Sequence, residues 1–180
     1  NTLLISSYIT SKNYKEALQS MERIKGKTPP VYKAMQRLAY YRGVELYIDQ
    51  QYDEAIYFFD YSLKYGEYDR LLKSRAFYWR GESDYRLARF EMAQNDYRQF
   101  VNSPGATSLS EYPTAHYNLG YVYFNMKNYP QSIEWFRKFV GFSSVNDKVM
   151  LADAYNRIGD CYFVERSFQP AIENYRKAGT

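Results

Sequence analysis

Aromatic, small and large apolar residues recur along this chain at helical spacing. No stretch alternates apolar and polar residues for long enough to make a strand. Five stretches align with one another: Asn13-Tyr14-Lys15-Glu16-Ala17, Gln51-Tyr52-Asp53-Glu54-Ala55, Arg89-Phe90-Glu91-Met92-Ala93, Asn128-Tyr129-Pro130-Gln131-Ser132 and Ser167-Phe168-Gln169-Pro170-Ala171. In each, a small residue follows an aromatic by three positions, which puts both on one helix face. The aromatics Tyr14, Tyr52, Phe90, Tyr129 and Phe168 are spaced 38, 38, 39 and 39 apart, and Ala17, Ala55, Ala93, Ser132 and Ala171 keep that spacing. Four positions after each small residue comes Met21, Phe59, Tyr97, Phe136 or Tyr175.

A second series precedes these. Gly43, Gly81, Gly120 and Gly159 are spaced 38, 39 and 39 apart, each inside an otherwise helical pattern. Glycine there is roughly 1 kcal/mol less favourable than alanine. A helix that repeatedly accepts this penalty needs a close backbone approach at that point. The pattern therefore predicts two helices per repeat, with the glycine of the first packed under the small and aromatic residues of the second.

The expected helices lie near 2–10, 14–26, 31–49, 52–65, 69–87, 91–102, 112–126, 129–140, 147–164 and 168–178. Pro130 and Pro170 fall in first turns, where a missing N–H is harmless. Ser108…Glu111 and Ser144…Asp147 have capping-box spacing, and Pro29-Pro30 separates the first helix pair from the second. The fold class expected is all-α: a right-handed α-solenoid of about five helix-turn-helix repeats, near 1–28, 31–66, 69–103, 111–142 and 147–180, forming one array over 1–180.

Composition supports a thin, repetitive molecule. Hydrophobic residues make up 46%, as in folded soluble proteins, but 22 Tyr and 11 Phe raise the aromatic content to 19%. Tyrosine packs its ring while keeping its hydroxyl wet, so a Tyr-rich chain suggests many half-buried positions. The net charge of +4 comes from 24 basic residues interspersed with 20 acidic ones, with no Lys/Arg block of the kind that tracks phosphates, so nucleic acid is disfavoured as a partner. No apolar run approaches the roughly 20 residues of a membrane span.

The chemistry of an enzyme is missing. His116 is the one histidine and Cys161 the one cysteine; they fall on different helices with no third group to orient them. His116 reads as a half-buried packing residue and Cys161 as a small buried hydrophobe. No His/Cys/carboxylate cluster suggests a metal, and the glycines are a repeat apart, so no phosphate loop exists. No cofactor is expected. Asp53-Glu54 opens a helix, where acids favour the dipole.

The residues Asn118-Leu119-Gly120-Tyr121-Val122-Tyr123 with Tyr129, Ser132, Phe136 and Phe139 resemble the tetratricopeptide signature of Leu-Gly, Tyr, Ala, Phe and Ala. Arg157-Ile158-Gly159-Asp160-Cys161-Tyr162 with Phe168, Ala171 and Tyr175 resembles it equally well. The resemblance runs through the whole chain in five units. It departs in period, since the family's unit is about 34 residues. Such long-period arrays resemble those of bacterial envelope proteins, and the tyrosine content resembles that of large exported Bacteroidetes proteins. By that resemblance alone, a periplasmic or outer-membrane-associated location is expected over a cytoplasmic one.

The resemblance implies first helices on a concave wall. Stepping by helical spacing from each glycine gives the groove set: Arg37, Tyr40, Val44, Tyr47 and Ile48; Arg75, Tyr78, Glu82, Tyr85 and Arg86; Thr114, Tyr117, Tyr121, Phe124 and Asn125; and an acidic far end with Asp153, Asn156, Asp160, Phe163 and Val164. Tyr40, Tyr78 and Tyr117 are equivalent, and Arg37 aligns with Arg75. Tyrosine flanked by arginine is the composition of binding hot spots. The expected function is a non-catalytic protein-interaction scaffold holding a peptide or partner segment. A glycan- or peptidoglycan-binding module is the alternative; it requires coplanar exposed rings with Asn or Asp nearby. The clamp by which related proteins hold chaperone carboxylates needs Lys and Asn where this chain has Tyr40, Tyr78, Tyr117, Val44 and Glu82, and is disfavoured.

The chain begins Asn1-Thr2-Leu3-Leu4 and ends Ala178-Gly179-Thr180. Leu3, Leu4 and Ile5 at one end and Ile172, Tyr175 and Ala178 at the other read as interior-repeat surfaces. The sequence therefore reads as a piece of a longer protein, with end-to-end self-association expected.

Overall fold

The structure, a computed structural model, describes residues 13–142 and 144–179. Among these are nine α-helices, one 3-10 turn and no strand. Contacts group the chain into two compact units, 1–89 and 90–180. The first contains α1 (Tyr14–Glu22), α2 (Pro29–Ile48), α3 (Tyr52–Lys64) and α4 (Arg70–Arg86). The second contains α5 (Phe90–Val101), the 3-10 turn Ala106–Ser108, α6 (Glu111–Asn125), α7 (Tyr129–Val140), α8 (Lys148–Val164) and α9 (Phe168–Ala178). The helix expected over 2–10, with Leu3, Leu4 and Ile5, lies outside the described residues.

Three of the four repeat glycines make the close approach that their spacing predicts. A Cβ on Gly43 would come within 2.7 Å of the Phe59 ring, one on Gly120 within 2.7 Å of Phe136, and one on Gly159 within 2.5 Å of Tyr175. Each contact joins the two helices of one hairpin: α2/α3, α6/α7 and α8/α9. Gly81 is buried on α4. The small residues Ala17, Ala55, Ala93, Ser132 and Ala171 are all buried. Ser132 adds a hydrogen bond where its counterparts are alanine: its Oγ donates to the Gly120 carbonyl at 2.8 Å.

The cores are serial. Ala17, Leu18, Met21, Met35 and Leu38 close one cluster in the first unit, and Leu46, Ala55, Phe59 and Ala76 another. In the second unit Ile133, Phe136 and Phe139 of α7 meet Ala154, Ile158 and Cys161 of α8. Within each unit, neighbouring helix pairs bury their apolar faces against one another, as stacked repeats require.

Three local expectations change. Ser108 is not a helix cap: it ends the 3-10 turn, and its hydroxyl donates to the Gly105 carbonyl at 2.7 Å. Ser144 is not a cap either, because Asp147 takes that place in α8. Its carboxylate accepts from the amides of Val149 (2.9 Å) and Met150 (3.0 Å), and a carboxylate at this point also favours the helix dipole. Pro29 and Pro30 form the first turn of α2 itself.

The hairpin turns share a device that carries no glycine. Gln50, Ala88, Lys127 and Arg166 have φ of 60°, 56°, 59° and 60°. After each, an amide donates back five residues: Gln51 to Leu46, Arg89 to Asp84, Asn128 to Tyr123 and Ser167 to Tyr162, at 2.8–2.9 Å. This is the Schellman closure of a helix end.

Candidate partner-binding faces

In the first unit the site is built on α2 and α4. Tyr47, one turn after Gly43, sets its ring edge-on to Trp79, with centroids 5.0 Å apart and planes at 64°. Its hydroxyl donates to Glu82 Oε2 at 3.2 Å and accepts from Arg86 Nε at 3.4 Å. Burial first, and then the Glu82 charge, raise the Tyr47 pKa above the ordinary phenol value, so the hydroxyl stays a donor. Arg37 and Arg86 are exposed, and Ile48 is 71% exposed. Val44, Arg75 and Tyr85 are half-buried. Tyr40 and Tyr78 are buried, at 7% and 6% exposure. The Tyr40 ring lies 5.3 Å from Tyr41 and 6.2 Å from Phe59, and Tyr78 meets Trp79 edge-on at 5.4 Å. These two tyrosines fill the packing and offer a partner little ring.

In the second unit α6 and α8 form the corresponding face. Tyr117 and Tyr121, one helical turn apart, pack edge-on at 5.1 Å and 67°. Both hydroxyls donate to Asp153 Oδ2, that of Tyr117 at 2.8 Å. Burial and the bond to Asp153 push the Tyr121 pKa up to about 12 and raise that of Tyr117 further. Arg157 Nη1 pairs with Asp160 at 2.7 Å, its Nε stands 3.7 Å from Asp153, and its guanidinium lies 5.7 Å over the Phe124 ring. Tyr175 donates to Asp160 at 2.9 Å. The expected acidic far end is thus engaged internally, by tyrosine hydroxyls and Arg157. Asn125 is exposed, with its amide donating to the Tyr121 carbonyl at 2.9 Å. Thr114 and Asn156 are half-buried, and Phe163 and Val164 are more than half exposed.

Both faces follow one rule. Tyrosines of one first helix are held by a carboxylate on the first helix of the next repeat, so their hydroxyls fix neighbouring repeats together. What stays presented is ring edge, guanidinium and amide. The sequence reading missed Trp79 and Arg157 as members of these faces. Both stand two residues before a repeat glycine, a register shared with Tyr41 and Asn118, and comparing that column would have found them.

His116 is buried beside Tyr112 and Trp135. Its Nδ1 lies 2.8 Å from the Tyr112 carbonyl, so it carries the proton there, and burial lowers its pKa. Cys161 is fully buried, its thiol donates to Ser132 Oγ at 3.6 Å, and burial pushes its pKa up to about 11. A thiol so placed is a poor nucleophile. Among the described residues no group of three or more His, Cys, Asp or Glu could hold a metal ion, and no helix is long and apolar enough to cross a membrane.

Helix pairs closed by glycine-aromatic contacts, serial cores and aromatic faces on the first helices define a helical-repeat protein. The family model described as Tetratricopeptide repeat matches residues 78–147. Solved structures agree in fold. BtubC (BKLC) from P. vanneervenii is 15% identical with a TM-score of 0.74, over 96% of this chain and 72% of that one. MamA (41-end) from Desulfovibrio magneticus RS-1 is 18% identical with a TM-score of 0.62, over 98% and 90%. A Rap protein complexed with Competence and Sporulation Factor is 14% identical with a TM-score of 0.63, over 93% and 46%. Comparison with curated proteins gives no match. Residues 78–147 match the tetratricopeptide-repeat model, and the chain shares its fold with these structures and with the TPR-like repeats of a Podosopora anserina putative kinesin light chain, 12% identical with a TM-score of 0.64 over 97% of this chain and 90% of that one. Tetratricopeptide repeats are in general scaffolds for protein–protein interaction.

Proposed function

We propose that the chain is a non-catalytic scaffold that binds a peptide or a segment of a partner protein on its first-helix faces. The observation that carries this reading is the face around Tyr47. There a Tyr–Trp edge pair sits beside the exposed cation Arg86, with the exposed Ile48 next to Tyr47 in the chain; Tyr, Trp and Arg are the residue types that dominate interface energetics. Carboxylates already hold the tyrosine hydroxyls, so polar contacts to a partner come from guanidinium and amide groups. That favours a segment carrying apolar and acidic side chains. The Rap protein complexed with a factor supports reading this fold as a binding module. The glycan alternative needs coplanar rings, and the ring pairs on these faces cross at 64° and 67°, so it has less support. The long period and tyrosine content favour a bacterial envelope location, testable by cell fractionation.

Peptides selected from a random display library against the chain provide the test, with affinity read by fluorescence anisotropy. Arg86→Ala and Ile48→Ser each change an exposed side chain. Each is expected to weaken the selected peptides about tenfold, roughly 1.4 kcal/mol, with helical circular dichroism intact. Unchanged affinity in both variants contradicts the reading.

A further inference from the structure

The charges of the first unit are sorted along its helices. Six exposed cations stand where helices meet connectors: Arg23 and Lys25 after α1, Lys33 near the start of α2, Lys64 at the end of α3, and Arg70 and Lys73 at the start of α4. Side-chain contacts bring these helix ends together at one edge. The Tyr32 ring of α2 stacks on Tyr65 at 5.4 Å and on Tyr68 at 5.5 Å, with interplanar angles of 25° and 19°. Tyr61 of α3 donates its hydroxyl to Glu22 of α1 at 2.8 Å, and the Gln36 amide of α2 donates to the Asp69 carbonyl beside α4 at 2.8 Å. Lys25 is followed by Gly26, at φ 66° with nothing within 4 Å of where a Cβ would stand, so this loop stands clear of the helices. The edge is made of helix ends, not of the helix sides through which repeats stack, so a neighbouring repeat does not cover it.

Little neutralises these cations. None of the six forms an ion pair among the described residues, and residues 1–12 contain no carboxylate. The carboxylates at this edge are Glu22, which accepts from Tyr61, Asp69, which caps α4 by accepting from the Leu72 amide at 3.1 Å, and Glu67. The opposite edge, at the hairpin turns, has the reverse balance. Asp49, Asp53 and Glu54 are exposed there, and Arg42 and Arg89 are paired with Glu45 and Asp53. We propose that the cationic edge docks the first unit on an anionic phospholipid bilayer. Its cations come from four separate segments and are spread over the edge, which suits a surface whose own charges can move to meet them. Half-buried tyrosine, with an apolar ring and a polar tip, is the side chain that settles at headgroup level. The three stacked rings offer edges rather than the open faces on which bases stack, which disfavours single-stranded nucleic acid. Carboxylates at the opposite edge are repelled by the same surface and fix which way the unit faces. The inference does not depend on the Tyr47 face.

Sedimentation of the full 180-residue chain with vesicles of phosphatidylglycerol and phosphatidylcholine in equal parts is the test. Binding is expected to these vesicles and not to pure phosphatidylcholine. It should be lost in about 1 M salt, where the screening length falls to about 3 Å. A basic side chain near an anionic surface strengthens partitioning about fivefold. Lys33→Glu and Lys64→Glu, which also add a repelled charge, are therefore each expected to weaken binding about tenfold or more. Arg166→Glu makes the same change of net charge at an exposed hairpin turn of the second unit and is expected to leave binding unchanged. Circular dichroism checks that the helices persist in every variant. The proposal is overturned by absence of binding to the anionic vesicles, by equal binding to the neutral ones, by indifference to Lys33→Glu and Lys64→Glu, or by equal weakening with Arg166→Glu. Oligouridylate or polyglutamate that binds with the same lysine dependence, while the vesicles do not, would assign the edge to nucleic acid or to an acidic protein and overturns it too.

Discussion

Replacing Gly120 by alanine sets two effects of opposite sign against each other. In an open helix the change is worth roughly 1 kcal/mol in alanine's favour. Here the new methyl would stand 2.7 Å from Phe136 Cδ1 and Cγ and 2.8 Å from Cδ2, about 1 Å inside the optimum for carbon–carbon contact. Phe136 is fully buried and meets Tyr117 at 5.7 Å and Tyr121 at 5.2 Å, so its ring has nowhere to move. Overpacking of this kind costs about 1–3 kcal/mol. Three ring atoms in close contact put this case in the upper half of that range, so the net destabilisation expected is about 1–2 kcal/mol. Thermal melting by far-ultraviolet circular dichroism reads it, at about 2–4 °C per kcal/mol for a chain of this size. Gly141→Ala is the control, because its methyl would meet only carbonyl oxygens at 3.4 Å. Phe136→Leu in the Gly120→Ala background should recover part of the loss, as a double-mutant cycle between touching residues shows. A Gly120→Ala protein as stable as the parent would refute the claim that helix pairs close through the glycine.

Two further outcomes follow from the turn and from the buried histidine. Lys127→Gly removes the strain of a non-glycine residue at φ 59°; the strain is of order 1 kcal/mol, partly offset by glycine's looser unfolded chain, so a higher urea midpoint is expected and a lower one contradicts the turn geometry. His116 has its pKa lowered by burial, so the unfolded chain takes up its proton first as pH falls. Its stability contribution is present above the ordinary histidine value near 6.5 and is lost below it, toward the lower folded value. The drop in melting temperature between pH 7.5 and 5.5 should therefore be smaller in His116→Phe than in the parent, and equal drops would contradict the buried neutral ring.

The period, the helix pairs and the glycine contacts were legible because each repeats the same complementary pair, a missing side chain opposite a large ring. Gly43–Phe59, Gly120–Phe136 and Gly159–Tyr175 are one solution written three times. The hairpin turns were not legible. Gln50, Ala88, Lys127 and Arg166 have nothing in common as side chains, and the left-handed conformation is imposed by the closing hydrogen bond. The capping boxes failed because spacing alone does not tell whether Ser144 or Asp147 reaches the free amides. On the faces, helical stepping from the glycine found Tyr47, Tyr117 and Tyr121, but could not tell that Tyr40 and Tyr78 turn into the packing. Depth depends on which neighbouring helix lies opposite, and a one-helix wheel carries no such information. For the same reason Asp153 and Asp160 looked like an acidic patch until α6 brought the tyrosine hydroxyls onto Asp153.

Hydrogen–deuterium exchange with and without a display-selected peptide tests the central claim, that the first helices form the binding face. The account predicts slower exchange in α2 and α4 around Tyr47, Trp79 and Arg86, where ring edges meet the exposed guanidinium of Arg86. Slowing confined to α1 and α3, the second helices of their hairpins, with α2 and α4 unchanged, would contradict it.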